Sequence, residues 1–538
     1  MKGLLATLLL TICLSSLTLA QLQTGSDVAV TDTESGKVRG YIHNGIFTYK
    51  GIPYAQSERF EAPQKVTPWE GVRSSMTWGP VAPLLNPTAV ANDESEFVFD
   101  HDWGYPGENC QVLNVWTPGI DDGKKRPVMF WIHGGGYTAG SSQELPSYYG
   151  ENLAKKGDVV VVSINHRLNI LGFLDLSAYG EEYKYSANLG LVDIRFALEW
   201  VQKNISNFGG DPDNVMIFGQ SGGGAKVNNL LAMPSAHGLF HKAVNQSGAF
   251  RGRVLDQRTT GAVASELLKQ LDLSDDEVDQ LKDVPFQELA DAGQRALRAV
   301  ETRMIENGEL VPGLGFGLGW GPSVDGDLLP HQLFSPEAME LSKEIPLMIG
   351  TVKNEFMPSG RAGLTDASME DIRAFIQEQW GDNTDAYIAA AEAAYPDYQM
   401  PSDLIDIDVI FRPGAVYQAQ TKSALEGGAP VYMYLFSWQS PVMDGKYKAV
   451  HCMELPFVFD NIARCENMTG GGRQAHILAD KVSQAWINFA HTGDPNHPGL
   501  PEWEPYTSEN GTTLFFDNHC HIRHHHDQDF LELVMSDR

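Results

Sequence analysis

Along most of this chain, short unbroken apolar runs alternate with stretches of helical period. Residues 128–132 (VMFWI) and 159–164 (VVVVSI) lack the polar and apolar alternation of a half-exposed strand, so they are predicted as inner strands covered on both faces. Leu191, Ile194, Leu198, Val201 and Ile205 then keep one apolar face at a spacing near 3.6, which predicts a helix. Residues 214–218 (NVMIF) form the next strand and run directly into Gly219-Gln220-Ser221-Gly222-Gly223, after which residues 226–232 read as helical. Further strands are predicted at 243–246, 345–350 and 431–436, and a late helix carries Val482, Ala485, Trp486 and Phe489 on one face. This alternation predicts an α/β fold with a large, mostly parallel central sheet flanked by helices. Residues 28–49 alternate more like an antiparallel meander. Two helical stretches, about 256–304 and 365–424, lie between predicted strands and read as insertions that would wall a pocket. The first contains Ser274-Asp275-Asp276-Glu277, a capping-box pattern. The Gly-rich apolar segment 313–320 suits either a cavity lining or an ordinary surface loop.

Composition narrows the class. The chain has 538 residues, 42% of them apolar, with no repeat or Pro/Gly/Ser linker to divide it, so residues 21–538 are read as one enlarged domain. The first twenty residues combine Lys2, an apolar stretch from Leu4 to Leu19 and a small-residue site at Thr18-Leu19-Ala20, the pattern of a signal peptide. Export to a secreted or periplasmic location follows as an expectation, with lipid modification of Cys13 as a variant of it. No later apolar run is long enough to span a bilayer. The mature chain keeps Cys110, Cys452, Cys465 and Cys520, an even number that in an exported protein suggests one or two disulfides. Cys452 with Cys465 closes a short loop and is the first choice. The formal charge of −30 argues against nucleic acid and anionic membrane surfaces as partners.

A Gly-x-Ser-x-Gly pattern alone is weak, but here it follows a predicted inner strand and opens a helix, where a strained nucleophile elbow belongs. Ser221 is therefore the candidate nucleophile. His133-Gly134-Gly135-Gly136-Tyr137 follows the strand 128–132, from which a loop can turn backbone amides toward Ser221. Gly135, Gly136 and Gly222 are the candidate oxyanion donors. The triplet Gly470-Gly471-Gly472 follows no strand and reads as a loop. A serine needs a base, most often His, held by a carboxylate, and on this topology the order is Ser, acid, His. Glu355 comes just after the strand 345–350, whereas the competing Asp325 precedes it. His451 follows the strand 431–436 and is the candidate base among sixteen histidines. The cluster His519, His521, His524, His525 and His526 reads as solvated surface rather than a metal site, and His133 as a support for its own loop. The chemistry calls for neither metal nor cofactor.

These residues, in this order, resemble the type-B carboxylesterase and cholinesterase family over nearly the whole mature length. The landmarks are Gly51-Ile52-Pro53-Tyr54-Ala55, Arg59-Phe60, Asn114-Val115-Trp116, His133 to Tyr137, Asn188-Leu189-Gly190-Leu191, Phe208-Gly209-Gly210-Asp211-Pro212, the segment ending in Asn354-Glu355, and His451-Cys452-Met453-Glu454-Leu455-Pro456-Phe457. The resemblance is to exported bacterial members. It implies an α/β-hydrolase fold and hydrolysis of a small-molecule carboxylic ester by water through an acyl-enzyme on Ser221, His451 and Glu355. The same machinery would serve an amidase or thioesterase, and a non-catalytic binding or adhesion protein is the rival of another class. Two positions depart from the family's usual Glu-Ser-Ala: Gln220 removes an anion beside the nucleophile, and Gly222 keeps its N–H on a looser backbone. Ser247 resembles a family serine that supports the acid. Trp103 lies near a choline-stacking position without matching its spacing, so a choline-ester specialist is not expected.

Overall fold

The computed structural model describes residues 21–85, 93–250, 254–310 and 317–536. The expected signal peptide and part of the Gly-rich segment 313–320 lie outside these residues.

The main sheet has twelve strands. In chain order they are β1 (Leu22–Gln23), β2 (Tyr41–His43), β3 (Ile46–Pro53), β4 (Val112–Thr117), β5 (Arg126–Ile132), β6 (Val160–Ile164), β7 (Gly210–Gln220), β8 (Lys242–Gln246), β9 (Leu347–Val352), β10 (Val431–Phe436), β11 (Thr512–Phe516) and β12 (His521–His524). Their order in space is β1-β2-β3-β4-β6-β5-β7-β8-β9-β10-β11-β12. The block from β6 to β11 is parallel throughout, and the strands outside it pair antiparallel. The sheet is therefore parallel where it is buried on both faces and antiparallel toward its edges.

The inner strands divide their side chains between two cores. Val128, Phe130 and Ile132 of β5 join one apolar cluster, while Met129 and Trp131 between them join the other. A strand buried on both sides has this arrangement because successive residues point to opposite faces. Helix α1 (Leu189–Asn204) packs on the first face, and the late helix Arg473–Thr492 puts Val482, Ala485, Trp486 and Phe489 into the second. Helix α2 (Gly222–Leu231) starts at the end of β7. Helices Gln257–Gln270 and Phe286–Glu306 lie between β8 and β9, and Met369–Trp380, Thr384–Ala394 and Arg412–Ser423 lie between β9 and β10.

Four strands are not predicted as strands from the sequence. β1 is two residues long, β4 (VLNVWT) has its apolar run broken by Asn114, and β11 (TTLFF) is too short for a period to register. β12 (HIRH) falls within the histidine cluster, where no apolar pattern marks an edge strand. Among the described residues no helix is long and apolar enough to cross a membrane.

The expected disulfides are not formed: Cys110, Cys452, Cys465 and Cys520 are all free. Cys452 Sγ faces Gln220 Oε1 at 3.3 Å, Cys520 Sγ faces the Asp517 carbonyl at 3.4 Å, and Cys110 packs with Ala82 and Leu168. Short separation in sequence therefore does not bond Cys452 to Cys465, although both pack in the same apolar cluster.

Candidate active site

Parallel strands end on one edge of the sheet, and the loops after neighbouring strands meet there. Ser221 follows β7, Ser247 follows β8, Glu355 follows β9 and His451 follows β10 after a longer loop. These four strands are consecutive in the sheet.

Ser221 adopts φ 57° and ψ −123°, a conformation that costs energy for a non-glycine residue. It persists because its N–H donates to the Gln246 carbonyl at 2.8 Å and because the flanking backbone is packed too tightly for side chains. A Cβ on Gly223 would lie 2.0 Å from the Ile132 carbonyl oxygen. The oxyanion loop passes equally close: a Cβ on Gly222 would lie 2.3 Å from the Gly136 carbonyl oxygen and 2.4 Å from its nitrogen. The loop turns through Gly135 (φ 79°) and Gly136 (φ 63°), and Ala139 N–H donates to the Gly135 carbonyl at 3.0 Å. Among the described residues no group accepts a hydrogen bond from the Gly135 or Gly136 N–H. Gly222 is the first residue of α2, so its N–H has no intrahelical acceptor. All three glycines line the same cavity as Ser221.

Glu355 is 1% exposed, and its carboxylate is hydrogen-bonded to Nδ1 of His451 and to the Val352 N–H, the latter at 3.2 Å. The two loops are also joined through the backbone, with His451 N–H donating to the Glu355 carbonyl at 3.0 Å. Ser247 is fully buried. Its hydroxyl closes no hydrogen bond of full geometry, yet it lies near enough to favour the ionised form of Glu355. Burial nevertheless dominates and raises Glu355 to about 8, while it lowers His451 to about 4.

The His451 ring is flanked by Phe356, at 4.6 Å between ring centres, and by Phe411, which stacks on it at 5.5 Å. The Gln220 amide nitrogen lies 3.4 Å from Nδ1 and 3.3 Å from Nε2 of the ring. Such near-equal distances place the amide across the ring rather than end-on to either nitrogen. Among the described residues no hydrogen bond joins the Ser221 hydroxyl to His451.

Two buried carboxyls went unassigned in the sequence. Glu454 accepts from Gln246 Nε2 at 3.1 Å, and Asp408 accepts from the N–H groups of Ile410, Phe411 and Arg412. Burial, and then the charge of Glu355, raises both to about 7. Glu454 had a signal in its spacing from His451; Asp408 had none.

The other candidates lie elsewhere. Asp325 accepts from Asn188 Nδ2 at 2.9 Å and from the N–H groups of Asp327 and Leu329. His133 turns Nδ1 to the Gly134 carbonyl at 3.0 Å. His524 and His525 contact the backbone carbonyls of Asn510 and Glu509. Trp103 stacks on His101 and does not line the cavity above Ser221.

That cavity has a volume of about 560 Å³. Ser221, Gly135, Gly136 and Gly222 lie in its wall, and Phe250, Trp320, Phe334, Phe356 and Phe411 supply its aromatic lining. Gly317, Gly319 and Trp320 of the Gly-rich segment are part of it, and among the described residues no carboxylate or ammonium side chain lines it.

Comparison with known proteins gives one consistent picture. The profile of the Carboxylesterase family matches residues 27–533. The para-nitrobenzyl esterase of Bacillus subtilis is 35% identical over 508 residues, spanning 92% of this chain and 96% of that protein. Among solved structures, an esterase from Clostridium hathewayi described as hydrolysing aliphatic aromatic polyesters superposes with a TM-score of 0.82 at 37% identity, covering 95% of this chain and 98% of its own. A carboxylesterase from Geobacillus stearothermophilus gives 0.72 at 34% identity, covering 93% and 100%.

Proposed function

The chain belongs to the carboxylesterase family and is a carboxylic ester hydrolase of the α/β-hydrolase fold, and from that premise we propose that Ser221, His451 and Glu355 carry the reaction. Ser221 Oγ attacks the ester carbonyl carbon while Nε2 of His451 takes its proton. Glu355 holds the Nδ1 proton and stabilises the imidazolium. The carbonyl oxygen becomes an oxyanion on the N–H groups of Gly135, Gly136 and Gly222. The tetrahedral species then collapses: the ester C–O bond breaks and the alcohol leaves with the proton from His451. Water, deprotonated by the same imidazole, releases the acid from the acyl-enzyme.

The observation that carries this reading is the hydrogen-bonded His451–Glu355 pair under a cavity that also presents Ser221 and the unpaired glycine amides. The aromatic lining, with no ionic side chain among the described residues, favours neutral esters with a bulky apolar group, in keeping with the polyester substrates of the Clostridium hathewayi enzyme. Residues 1–20 support export as a cleaved signal peptide, and residues 21–538 act as one domain whose sheet runs from β1 to β12.

A neutral chromogenic aryl ester tests the assignment. Wild type turns it over with a burst of alcohol release, whereas Ser221→Ala loses activity by about 10⁴-fold or more. Equal rates for wild type and Ser221→Ala would refute the roles of all three residues.

A further inference from the structure

Five residues after the nucleophile, on a helix face with no solvent, stands Lys226. It is 0% exposed, and a lysine buried without a charged partner is expensive for a fold to keep. Among the described residues it makes no ion pair. Its Nζ donates one hydrogen bond, 3.2 Å long, to the carbonyl oxygen of His133.

That carbonyl is the root of the oxyanion loop. The peptide it belongs to leads straight into Gly134, Gly135 and Gly136. Besides this grip the loop is held by Ala139 N–H on the Gly135 carbonyl at 3.0 Å and by Asn169 N–H on the Tyr137 carbonyl at 2.7 Å, while among the described residues the amides of its two positive-φ glycines stay free. Among the described residues no charged side chain touches the ammonium. The rings of His133 and His166 stack at 5.0 Å, and burial, with Lys226 as a neighbouring positive charge, holds both neutral. The Nε2 atoms of both rings are buried without a hydrogen-bond partner. Tyr137, the residue after the glycines, has its ring centre 5.8 Å from Nζ. Glu144 acts on the ammonium without touching it, its carboxyl being hydrogen-bonded by the Tyr148 hydroxyl at 3.1 Å.

We propose that Lys226 is a positioning residue for ester hydrolysis: its ammonium, gripping the His133 carbonyl from behind, fixes the turn that aims the Gly135 and Gly136 amides at the developing oxyanion. The inference rests on reading those amides as the oxyanion donors. A donor of this kind works only at hydrogen-bond distance from the position the oxyanion will occupy, so a small rotation of the loop weakens the transition state more than the bound ester. The grip also polarises the His133–Gly134 peptide, whose N–H starts the glycine turn. Burial pulls the ammonium down to about 7, a sign of how poorly this site suits a charge. A purely space-filling role would be served better by an uncharged chain of similar length.

This contrast defines the experiment. Lys226→Met and Lys226→Gln are compared with wild type and Ser221→Ala on the neutral aryl ester. A trifluoromethyl ketone serves as a second probe: Ser221 Oγ adds to its carbonyl carbon, the serine proton passes to His451, and the ketone oxygen becomes an oxyanion. In Lys226→Met, kcat is expected to fall about 10–100-fold with KM within about threefold of wild type. Ketone affinity falls by a similar factor, while Tm stays level or rises. Lys226→Gln, which keeps a donor but loses reach, falls in the same direction by less, and it carries the test if the Met variant does not fold. Wild-type kcat and ketone affinity in either folded variant would overturn the proposal. So would a loss confined to KM with ketone affinity intact. An active Ser221→Ala would instead sink the underlying triad assignment; an inactive Ser221→Ala beside fully active Lys226 variants would sink only the role of Lys226.

Discussion

At the residue scale, the chemistry turns on one shared proton. Burial opposes both ionised groups of the dyad, pushing Glu355 up to about 8 and His451 down to about 4. Because the ring and the carboxyl are hydrogen-bonded to each other, they titrate as a unit. Of the two shifts, the raised carboxyl governs: the dyad with one extra proton is neutral overall, and the buried carboxyls of Glu454 and Asp408 disfavour adding another negative charge beside it. His451 can accept the Ser221 proton only after the extra proton has left, so activity rises with pH. The expected profile of kcat/KM on a neutral ester has an acid limb with its midpoint above the 6.5 of an ordinary imidazole. A profile still flat at pH 5 would mean that Glu355 is ionised at rest. Ser221, Glu355 and His451 were each legible from what precedes them, a strand followed by a loop. Asp408 was not: it shares the apolar segment 402–411 (SDLIDIDVIF) with Asp403 and Asp406, and nothing local says which aspartate lies close enough to feel the charge of Glu355.

At the element scale, the elbow and the oxyanion loop are two halves of one fitted joint. From the chain alone, Gly222 reads as a looser backbone beside the nucleophile. The structure gives it the opposite character, because the Gly136 backbone occupies the space a side chain would need. Gly222→Ala is therefore expected to displace the loop, destabilising the fold by about 1–3 kcal/mol and lowering kcat by about 10-fold or more through the misplaced donors. Thermal unfolding and steady-state kinetics on the one variant check both effects; unchanged values would mean the loop can give way. The strand and helix preceding this joint were predicted from periodicity, and the capping box did mark a helical start: the Glu277 carboxylate accepts from both N–H and Oγ of Ser274, opening a 3₁₀ turn over Asp275–Lys282. The glycines of both segments signalled that these two loops, nearly ninety residues apart, approach each other; that Gly136 fills the side-chain space of Gly222 left no trace in either.

At the scale of the whole molecule, the large core holds this fold without crosslinks. Cys110 and Cys465 are buried, and burial raises both thiols above their ordinary range. A thiol kept protonated and out of solvent is a poor nucleophile for exchange. If the protein is exported and residues 1–20 are removed as proposed, under denaturing, non-reducing conditions it is expected to titrate four thiols and to show an N-terminus at Gln21, with the same Tm before and after reduction. Five thiols would mean that Cys13 and the first twenty residues are retained; two or fewer would mean that crosslinks do form. Although the chain carries a formal charge of −30, among the described residues the cavity above Ser221 has no ionic lining.

By itself the sequence determined most of the parallel strands, where the backbone must turn without a side chain, and the order in which the candidate nucleophile, acid and base occur. Those are local matters: period reports burial, and glycine spacing reports room. Only the tertiary structure decided which side chains meet. Placing β7, β8, β9 and β10 side by side brings Ser221, Ser247, Glu355 and His451 to one edge, leaves Asp325 bound to Asn188, keeps Cys452 on Gln220 rather than Cys465, and sets Lys226 behind the oxyanion loop. Distances between residues far apart in the chain follow from strand order and packing, and no short window of residues encodes either.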